Sequence, residues 1–364
     1  MHWDIFCRVI DNFGDIGVCW RLAADLAARG DVVRLWVDDA SALGWMAPGV
    51  TPSVDVRAWP ADDDTSIEPN EAVIEAFACH LPSGFVQRMA AREPPPRWIN
   101  LEYLSAEDYV ERNHRLLSPQ LSGPARGLDK WFFYPGFTER TGGLLRERNL
   151  AGRQAAFDAN AWLREHGMVP AGGERIVSLF CYVNPALPAL IDALSATPTL
   201  LLVTAGIAAR QVRALVPGAV HRERLRIHYL PALAQTDYDH LLWSCDLNLV
   251  RGEDSFVRAQ WAGKPFLWQI YPQEDGVHAA KLAAFNRRFL ASADPALAAA
   301  VDRAALDWNG LGAVRPTAGG RPGIELPAPA LWEAWRAHCR GWRARVEELP
   351  DLTASLRAFV QKRR

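Results

Sequence analysis

The chain has 364 residues, of which 49% are hydrophobic and 23% charged, with a formal net charge of −2. That length suits two ordinary domains better than one core. The near-neutral balance excludes a global field that would draw the protein to nucleic acid or to an anionic membrane.

The opening Met1-His2-Trp3-Asp4-Ile5-Phe6-Cys7 lacks the basic start and long apolar core of a signal peptide. No apolar run reaches the roughly 18 residues that a spanning helix needs. The six cysteines are scattered without a CxxC pair, which reads as reduced thiols in a cytosolic protein. Residues Trp3 to Ile10 read as a buried strand. The loop Asp11-Asn12-Phe13-Gly14-Asp15-Ile16-Gly17 follows, then a helix from Val18 to Arg29 closed by Gly30. Val32 to Val37 reads as the next strand, completing a β-loop-α-β unit of the kind that builds parallel sheets. Val54–Trp59, Ala72–Phe77 and Arg97–Leu101 continue the strand series. Between the first two of these, Asp62-Asp63-Asp64 reads as a solvated loop or, less simply, as a lure for a basic partner segment.

A junction at 141–173 contains Gly142-Gly143, a charged helical stretch and Pro170-Ala171-Gly172-Gly173. A second α/β series follows it. Strands are predicted at Arg175–Tyr182, Thr199–Thr204, Leu225–Leu230, Asp246–Val250 and Pro265–Ile270. Helices are predicted between them at Pro185–Ala196, Ile207–Leu215, Asp237–Trp243, Ser255–Trp261 and Gly276–Phe289. Helical segments at 329–349 and 352–362 close the chain. The expected architecture is α/β of the GT-B type, with two Rossmann-like, doubly wound domains (1–150 and 151–328) facing a cleft, and a helical tail (329–364). Ligands of such sheets sit beyond the carboxyl ends of the strands.

Two turns carry the chemistry. In the first, Gly14 and Gly17 permit close backbone approach, and Asp11 and Asp15 supply carboxylates for base or charge-stabilising work, or a simple helix cap at Asp15. The G-x-G-x-x-G spacing of a dinucleotide site is absent. In the second, Val250-Arg251-Gly252-Glu253-Asp254-Ser255-Phe256 joins a strand to a helix. Its free N–H groups and Arg251 suit a phosphate, Glu253 and Asp254 suit sugar hydroxyls, and Ser255 is either a cap or a phosphate donor. Phe180 and Tyr182 end the strand that opens the second domain and offer a stacking face for a base. Gln235 offers an amide for the base edge. The nine histidines form no metal-ligand spacing, and neither a nucleophile elbow nor a P-loop is present. These residues point to a sugar transferase with a nucleotide-diphosphate donor. A transferase with a small or lipid-linked acceptor and a non-catalytic nucleotide-sugar binding protein are the competing readings.

The Asp11–Gly17 run resembles the N-terminal signature of the EarP family, protein-arginine rhamnosyltransferases that modify elongation factor P. Residues Arg251 to Pro265 resemble that family's donor-domain signature. So does Gln269-Ile270-Tyr271-Pro272-Gln273 with Asp275, Gly276 and His278. The resemblance extends over nearly the whole chain. It implies a metal-free, inverting GT-B enzyme without a cofactor that moves rhamnose from dTDP-β-L-rhamnose to an arginine of elongation factor P. Asp15 would be the catalytic carboxylate, with Asp11 in support. Arg251, Gly252, Glu253, Asp254 and Ser255 would bind the donor, with Phe180, Tyr182 and Gln235 around the thymine and Asn12, Phe13, Gly14 and Gly17 in the first turn. The family's aromatic before that glutamine is here matched by Leu230-Pro231-Ala232-Leu233-Ala234, so one wall of the base pocket is expected to differ. Full deprotonation of a guanidinium by an ordinary carboxylate is uphill by roughly 8–9 pKa units. Asp15 and Asp11 are therefore expected to grip and polarise the arginine, with the proton leaving as the new bond forms.

Overall fold

The computed structural model describes residues 1–10, 13–49, 53–218, 220–272, 276–312 and 323–362. The chain divides into two compact units. One comprises Met1–Gly152 with Val346–Arg364, the other Arg153–Arg345.

In the first unit, β1 (His2–Cys7), α1 (Gly14–Ala28), β2 (Val32–Val37), α2 (Leu43–Met46) and β3 (Val54–Ala58) come first. Next are β4 (Ala72–Ala76), α3 (Ser83–Ala91), β5 (Arg97–Leu101), α4 (Asp108–Asn113), β6 (Leu116–Pro119) and β7 (Asp129–Phe133). The sheet order is β3-β2-β1-β4-β5-β7-β6, parallel except for the antiparallel edge strand β6. β1 and β4 are central and covered on both faces, which is why they read as nearly continuous apolar runs. The exception within β1 is Asp4, fully buried and saturated. It accepts two bonds of 2.7 Å from Arg34, one of 2.8 Å from the Trp36 indole and one of 2.8 Å from the Asn70 N–H. A buried carboxylate survives in a core only when its lone pairs are met in this way.

The second unit begins with α5 (Leu150–Ala155), whose start lies in the first, and continues with α6 (Ala159–Glu165), β8 (Arg175–Leu179), α7 (Leu187–Ser195), β9 (Thr199–Val203) and α8 (Ile207–Leu215). The short β10 (His221–Arg222) precedes β11 (Leu225–Tyr229), α9 (Gln235–Ser244), β12 (Leu247–Arg251), α10 (Asp254–Ala262), β13 (Phe266–Gln269), α11 (Val277–Phe289) and α12 (Pro295–Trp308). Its sheet runs β10-β11-β9-β8-β12-β13, with only β10 antiparallel.

Both units are therefore doubly wound, and each has a point where the strand order reverses. It lies between β1 and β4 in the first sheet and between β8 and β12 in the second. Such reversals leave a crevice at the carboxyl ends of the strands, where ligands bind.

Several boundaries differ from the sequence expectation; β8, for one, ends at Leu179, so Phe180 and Tyr182 follow the strand rather than end it. β1 stops at Cys7 rather than Ile10, and α1 begins at Gly14 rather than Val18, so Gly14, Asp15 and Gly17 lie inside the first helical turn instead of in a loop. The Gly17 N–H already donates to the Phe13 carbonyl at 3.0 Å. The tail is also not one body. α13 (Trp332–Glu347) lies in the second unit up to Arg345, with the Trp342 indole donating to Gln260 Oε1 at 2.8 Å. α14 (Leu352–Gln361) belongs to the first unit. It buries Leu352, Leu356, Phe359 and Val360 in that core, and Phe359 packs 5.4 Å from Trp131 and 5.8 Å from Phe133. The aromatic run Lys130-Trp131-Phe132-Phe133 is the signal that betrays β7, which the sequence reading passed over along with β6.

The acidic stretch at 62–64 has a structural task. Asp62 accepts the Ser83 N–H on its carboxylate at 3.0 Å and the Gly84 N–H on its carbonyl at 2.6 Å. It thereby satisfies two of the unpaired donors at the start of α3.

Candidate active site

In the first unit, α1 starts at the strand-order reversal and carries Asp15 in its first turn. The side chain is 3% exposed. One carboxylate oxygen accepts the Ile10 N–H at 3.1 Å and the other accepts the Tyr103 hydroxyl at 3.3 Å. Tyr103 follows β5 and stacks on Phe77, which follows β4, at 4.4 Å and 10°. Phe77 has φ +56°, and Ala78 and His80 have φ +53°, a left-handed run that non-glycine residues seldom adopt. The fold compensates this strain locally. Phe77 N–H donates to the Leu101 carbonyl at 2.7 Å, Ala78 N–H to Asn100 Oδ1 at 3.2 Å and His80 N–H to Glu75 Oε1 at 3.2 Å. These bonds hold the strained run at the strand end, with Phe77 stacked on the ring that reaches Asp15. Phe13 is 44% exposed and packs edge-on against Trp45 at 5.1 Å. Asp11 and Asn12 lie outside the described residues.

In the second unit, Arg251 ends β12 at the other reversal. Its guanidinium lies over two aromatic rings, 4.3 Å from the centroid of Phe180 and 4.5 Å from that of Tyr182. It donates to the Cys181 carbonyl at 3.4 Å. The residue is 9% exposed, and among the described residues it forms no ion pair. A largely desolvated cation with no ion-pair partner among the described residues is costly to bury. Burial pushes the adjacent Cys181 thiol up to about 12, and the Arg251 charge only partly offsets that rise. Phe180 also packs 5.6 Å from Tyr238, which lies one turn along α9 from Gln235.

Gly252 has φ +63°, the left-handed turn that glycine makes at least cost, and its carbonyl accepts the Trp268 indole N–H at 2.7 Å. Glu253 precedes α10 and pairs with Lys281 of α11 at 2.8 Å, while Asp254 is the first residue of α10. Ser255 is turned inward. It accepts the Arg251 N–H at 3.1 Å and donates to the Arg251 carbonyl, so its hydroxyl staples the turn. Of the third stretch noted in the sequence, Gln273 and Asp275 lie outside the described residues, and Tyr271 packs edge-on to Tyr182 at 5.3 Å.

The structure thus brings together Phe180, Tyr182 and Arg251, with Gly252 and Ser255 shaping the turn. In the other unit it sets Asp15 beside Tyr103, which stacks on Phe77. The sequence singles out neither Tyr103 nor Phe77 as a site residue, although Phe77 ends one predicted strand and Tyr103 lies two residues beyond another. Among the described residues, no group of three or more His, Cys, Asp or Glu side chains is placed to hold a metal ion, and no helix is long and apolar enough to cross a membrane.

A sequence model of the family described as elongation factor P rhamnosyltransferase EarP matches residues 3–361. A protein-arginine rhamnosyltransferase of Pseudomonas aeruginosa is 45% identical over 98% of each chain. One of Neisseria meningitidis serogroup B is 38% identical over 98% of this chain and 96% of its own. A solved structure concerning EarP-mediated arginine glycosylation of translation elongation factor EF-P superposes with a TM-score of 0.66 at 30% identity, covering 100% of this chain and 99% of that one. A plant glycosyltransferase with bound UDP, UGT89C1 of Arabidopsis thaliana, shares only the fold, with a TM-score of 0.51 at 12% identity over 99% of each chain. The α/β architecture is that of the GT-B glycosyltransferases. With a family match along almost its entire length and full-length relatives of one activity, the chain belongs to the EarP family and is a protein-arginine rhamnosyltransferase.

Proposed function

We propose that the enzyme transfers L-rhamnose from dTDP-β-L-rhamnose to an arginine of elongation factor P in a single, inverting displacement. The observation that carries the reading is Asp15, a buried carboxylate in the first turn of α1 at the strand-order reversal, braced by Tyr103 and flanked by a strained aromatic stack.

In this reading the acceptor guanidinium lies against Asp15, with Asp11 in support. The carboxylate localises the arginine's delocalised electrons and leaves one nitrogen free to attack the anomeric carbon. As the C–N bond forms, the C–O bond to the diphosphate breaks, the configuration inverts and the guanidinium proton passes to Asp15 or to water. A proton lost in concert with bond formation avoids the roughly 8–9-unit penalty of prior deprotonation. The departing dTDP is neutralised by Arg251 and the N–H groups at the start of α10, with no metal required. Phe180, Tyr182 and Gln235 hold the base, while Gly252, Glu253, Asp254 and Ser255 shape the sugar-diphosphate pocket. Asn12, Phe13, Gly14 and Gly17 complete the donor contacts. The six thiols, all buried and unbridged, suit a reducing compartment such as the cytosol.

The test is incubation with dTDP-β-L-rhamnose and elongation factor P, with and without a chelator, followed by intact-mass and fragment mass spectrometry and by NMR of the anomeric linkage. A single added deoxyhexose on one arginine, in the α configuration and unaffected by chelation, is expected. An unmodified acceptor, a retained β linkage or loss of activity on chelation overturns the corresponding part of the reading.

A further inference from the structure

Side-chain amides tie down the loop that presents the aromatic rings in the second unit. Gln269, the last residue of β13, accepts the Tyr182 N–H at 2.8 Å on Oε1 and donates from Nε2 to the Val183 carbonyl at 3.2 Å. Gln211 of α8 donates to the Tyr182 carbonyl at 3.0 Å and accepts the Asn184 N–H at 2.9 Å. Asn184 in turn donates to the Trp308 carbonyl at 2.9 Å and accepts the Ala186 N–H at 2.8 Å. Gln269 also reaches the other half of the site through its backbone. It is the β-ladder partner of Arg251, and its carbonyl accepts the Gly252 N–H at 3.3 Å. One residue, 6% exposed, therefore ties the aromatic loop to the turn that carries the guanidinium.

The chemistry of the position is specific. A primary amide offers a donor and an acceptor in one plane. A carboxylate of the same shape has lost the donor, and a thioether has lost the donor and keeps only a weak acceptor. Left without Gln269, the Tyr182 N–H and the Val183 carbonyl would need water or a new backbone path, and the rings of Phe180 and Tyr182 would no longer share one geometry around Arg251. Ordering them would then fall to the moment of ligand capture, which weakens binding without touching the chemical step.

We propose that Gln269 is a positioning residue of the donor site. It locks the 181–184 loop to the Arg251–Gly252 turn so that the two rings and the guanidinium are preset before the nucleotide sugar arrives, with Gln211 bracing the loop from the other side. The proposal rests on the donor-site reading above.

The test measures dTDP binding by calorimetry and steady-state donor kinetics for Gln269→Met, Gln269→Asn, Gln211→Met and Phe180→Ala, with the double variant of Gln269→Met and Phe180→Ala. The expected result for Gln269→Met is at least tenfold weaker dTDP binding and a matching rise in donor KM, with kcat at saturating donor within twofold of the parent. Gln211→Met should show the same split, and the double variant should bind within about threefold of the weaker single. Unchanged dTDP affinity in Gln269→Met while Phe180→Ala binds weakly overturns the positioning role alone, as do strictly multiplicative losses in the double variant. Unchanged affinity in Phe180→Ala overturns the donor-site reading itself. Should Gln269→Met fail to fold, Gln269→Asn and Gln211→Met are read by the same criteria.

Discussion

The carboxylate of Asp15 and the hydroxyl of Tyr103 meet at 3.3 Å, joining the start of α1 to the end of β5 across the point where the first sheet reverses its strand order. The two residues are 88 positions apart in the chain. Tyr103 is 38% exposed, so its ring reaches the surface while its hydroxyl reaches the buried acid.

If this carboxylate polarises the acceptor, Asp15→Asn keeps the shape and loses the charge. Turnover should fall by about 10²-fold or more, in the range of a lost general base, while dTDP binding stays within twofold. Tyr103→Phe removes a neutral partner and should cost only a few-fold in kcat. Initial rates by mass spectrometry, beside calorimetry with dTDP, check both. Full turnover in Asp15→Asn would exclude it from catalysis.

Arg251 makes a complementary case. A buried guanidinium with no ion-pair partner among the described residues is a burden on folding that a bound diphosphate would relieve. Arg251→Met should therefore weaken dTDP binding by about tenfold or more, as expected for loss of a charge-assisted hydrogen bond. The melting temperature of the unliganded protein should stay level or rise. A variant that melts much earlier and still binds dTDP normally would make Arg251 a structural residue.

The Asp239–Arg258 pair predicts the opposite balance. Both side chains are fully buried and bonded twice, at 2.8 and 2.7 Å, between α9 and α10. Asp239 also lies 3.6 Å from Arg153, so Asp239→Leu takes the carboxylate from two cations and should destabilise the second unit by about 3–5 kcal/mol in urea unfolding. Adding Arg258→Met should restore much of that loss. A second variant no more stable than the first would refute the account.

His114 sets an acid-side dependence. Burial, reinforced by the neighbouring Arg115 charge, lowers its pKa to about 4. Its Nδ1 accepts the Tyr134 N–H at 3.2 Å, which requires that nitrogen to be unprotonated. Above the unfolded value near 6.5 both states are neutral and the group contributes no pH dependence. Between about 6.5 and 4 the unfolded chain binds a proton that the folded chain refuses, so stability falls as pH falls. Below about 4 the difference stops growing. His114→Asn should flatten the stability curve in that window by up to about one proton, reduced by solvent screening at this half-buried site. Denaturant midpoints from pH 7 to 4.5 measure it, and an identical slope in the variant would rule His114 out as the source.

Much of this protein was legible in its residues. Apolar runs such as Val32–Val37 and Thr199–Val203, punctuated by glycine turns and amphipathic helices, dictate parallel strands with helical crossovers, because a strand covered on both faces has no polar alternation. The motifs around Asp15 and Arg251 could be placed at strand ends for the same reason, and their length made the family recognisable. What one dimension could not supply is which strands become neighbours. The orders β2-β1-β4 and β9-β8-β12 make the two crevices, and they bring Tyr103 to Asp15 and Gln269 to Tyr182 across 88 and 87 positions. α14 likewise returns to the first unit, because its apolar face fits against Trp131 and Phe133. Local periodicity reports whether a segment buries a face. Only the packed structure decides against what, since that choice depends on the shape and hydrogen-bonding demand of surfaces distant in the chain.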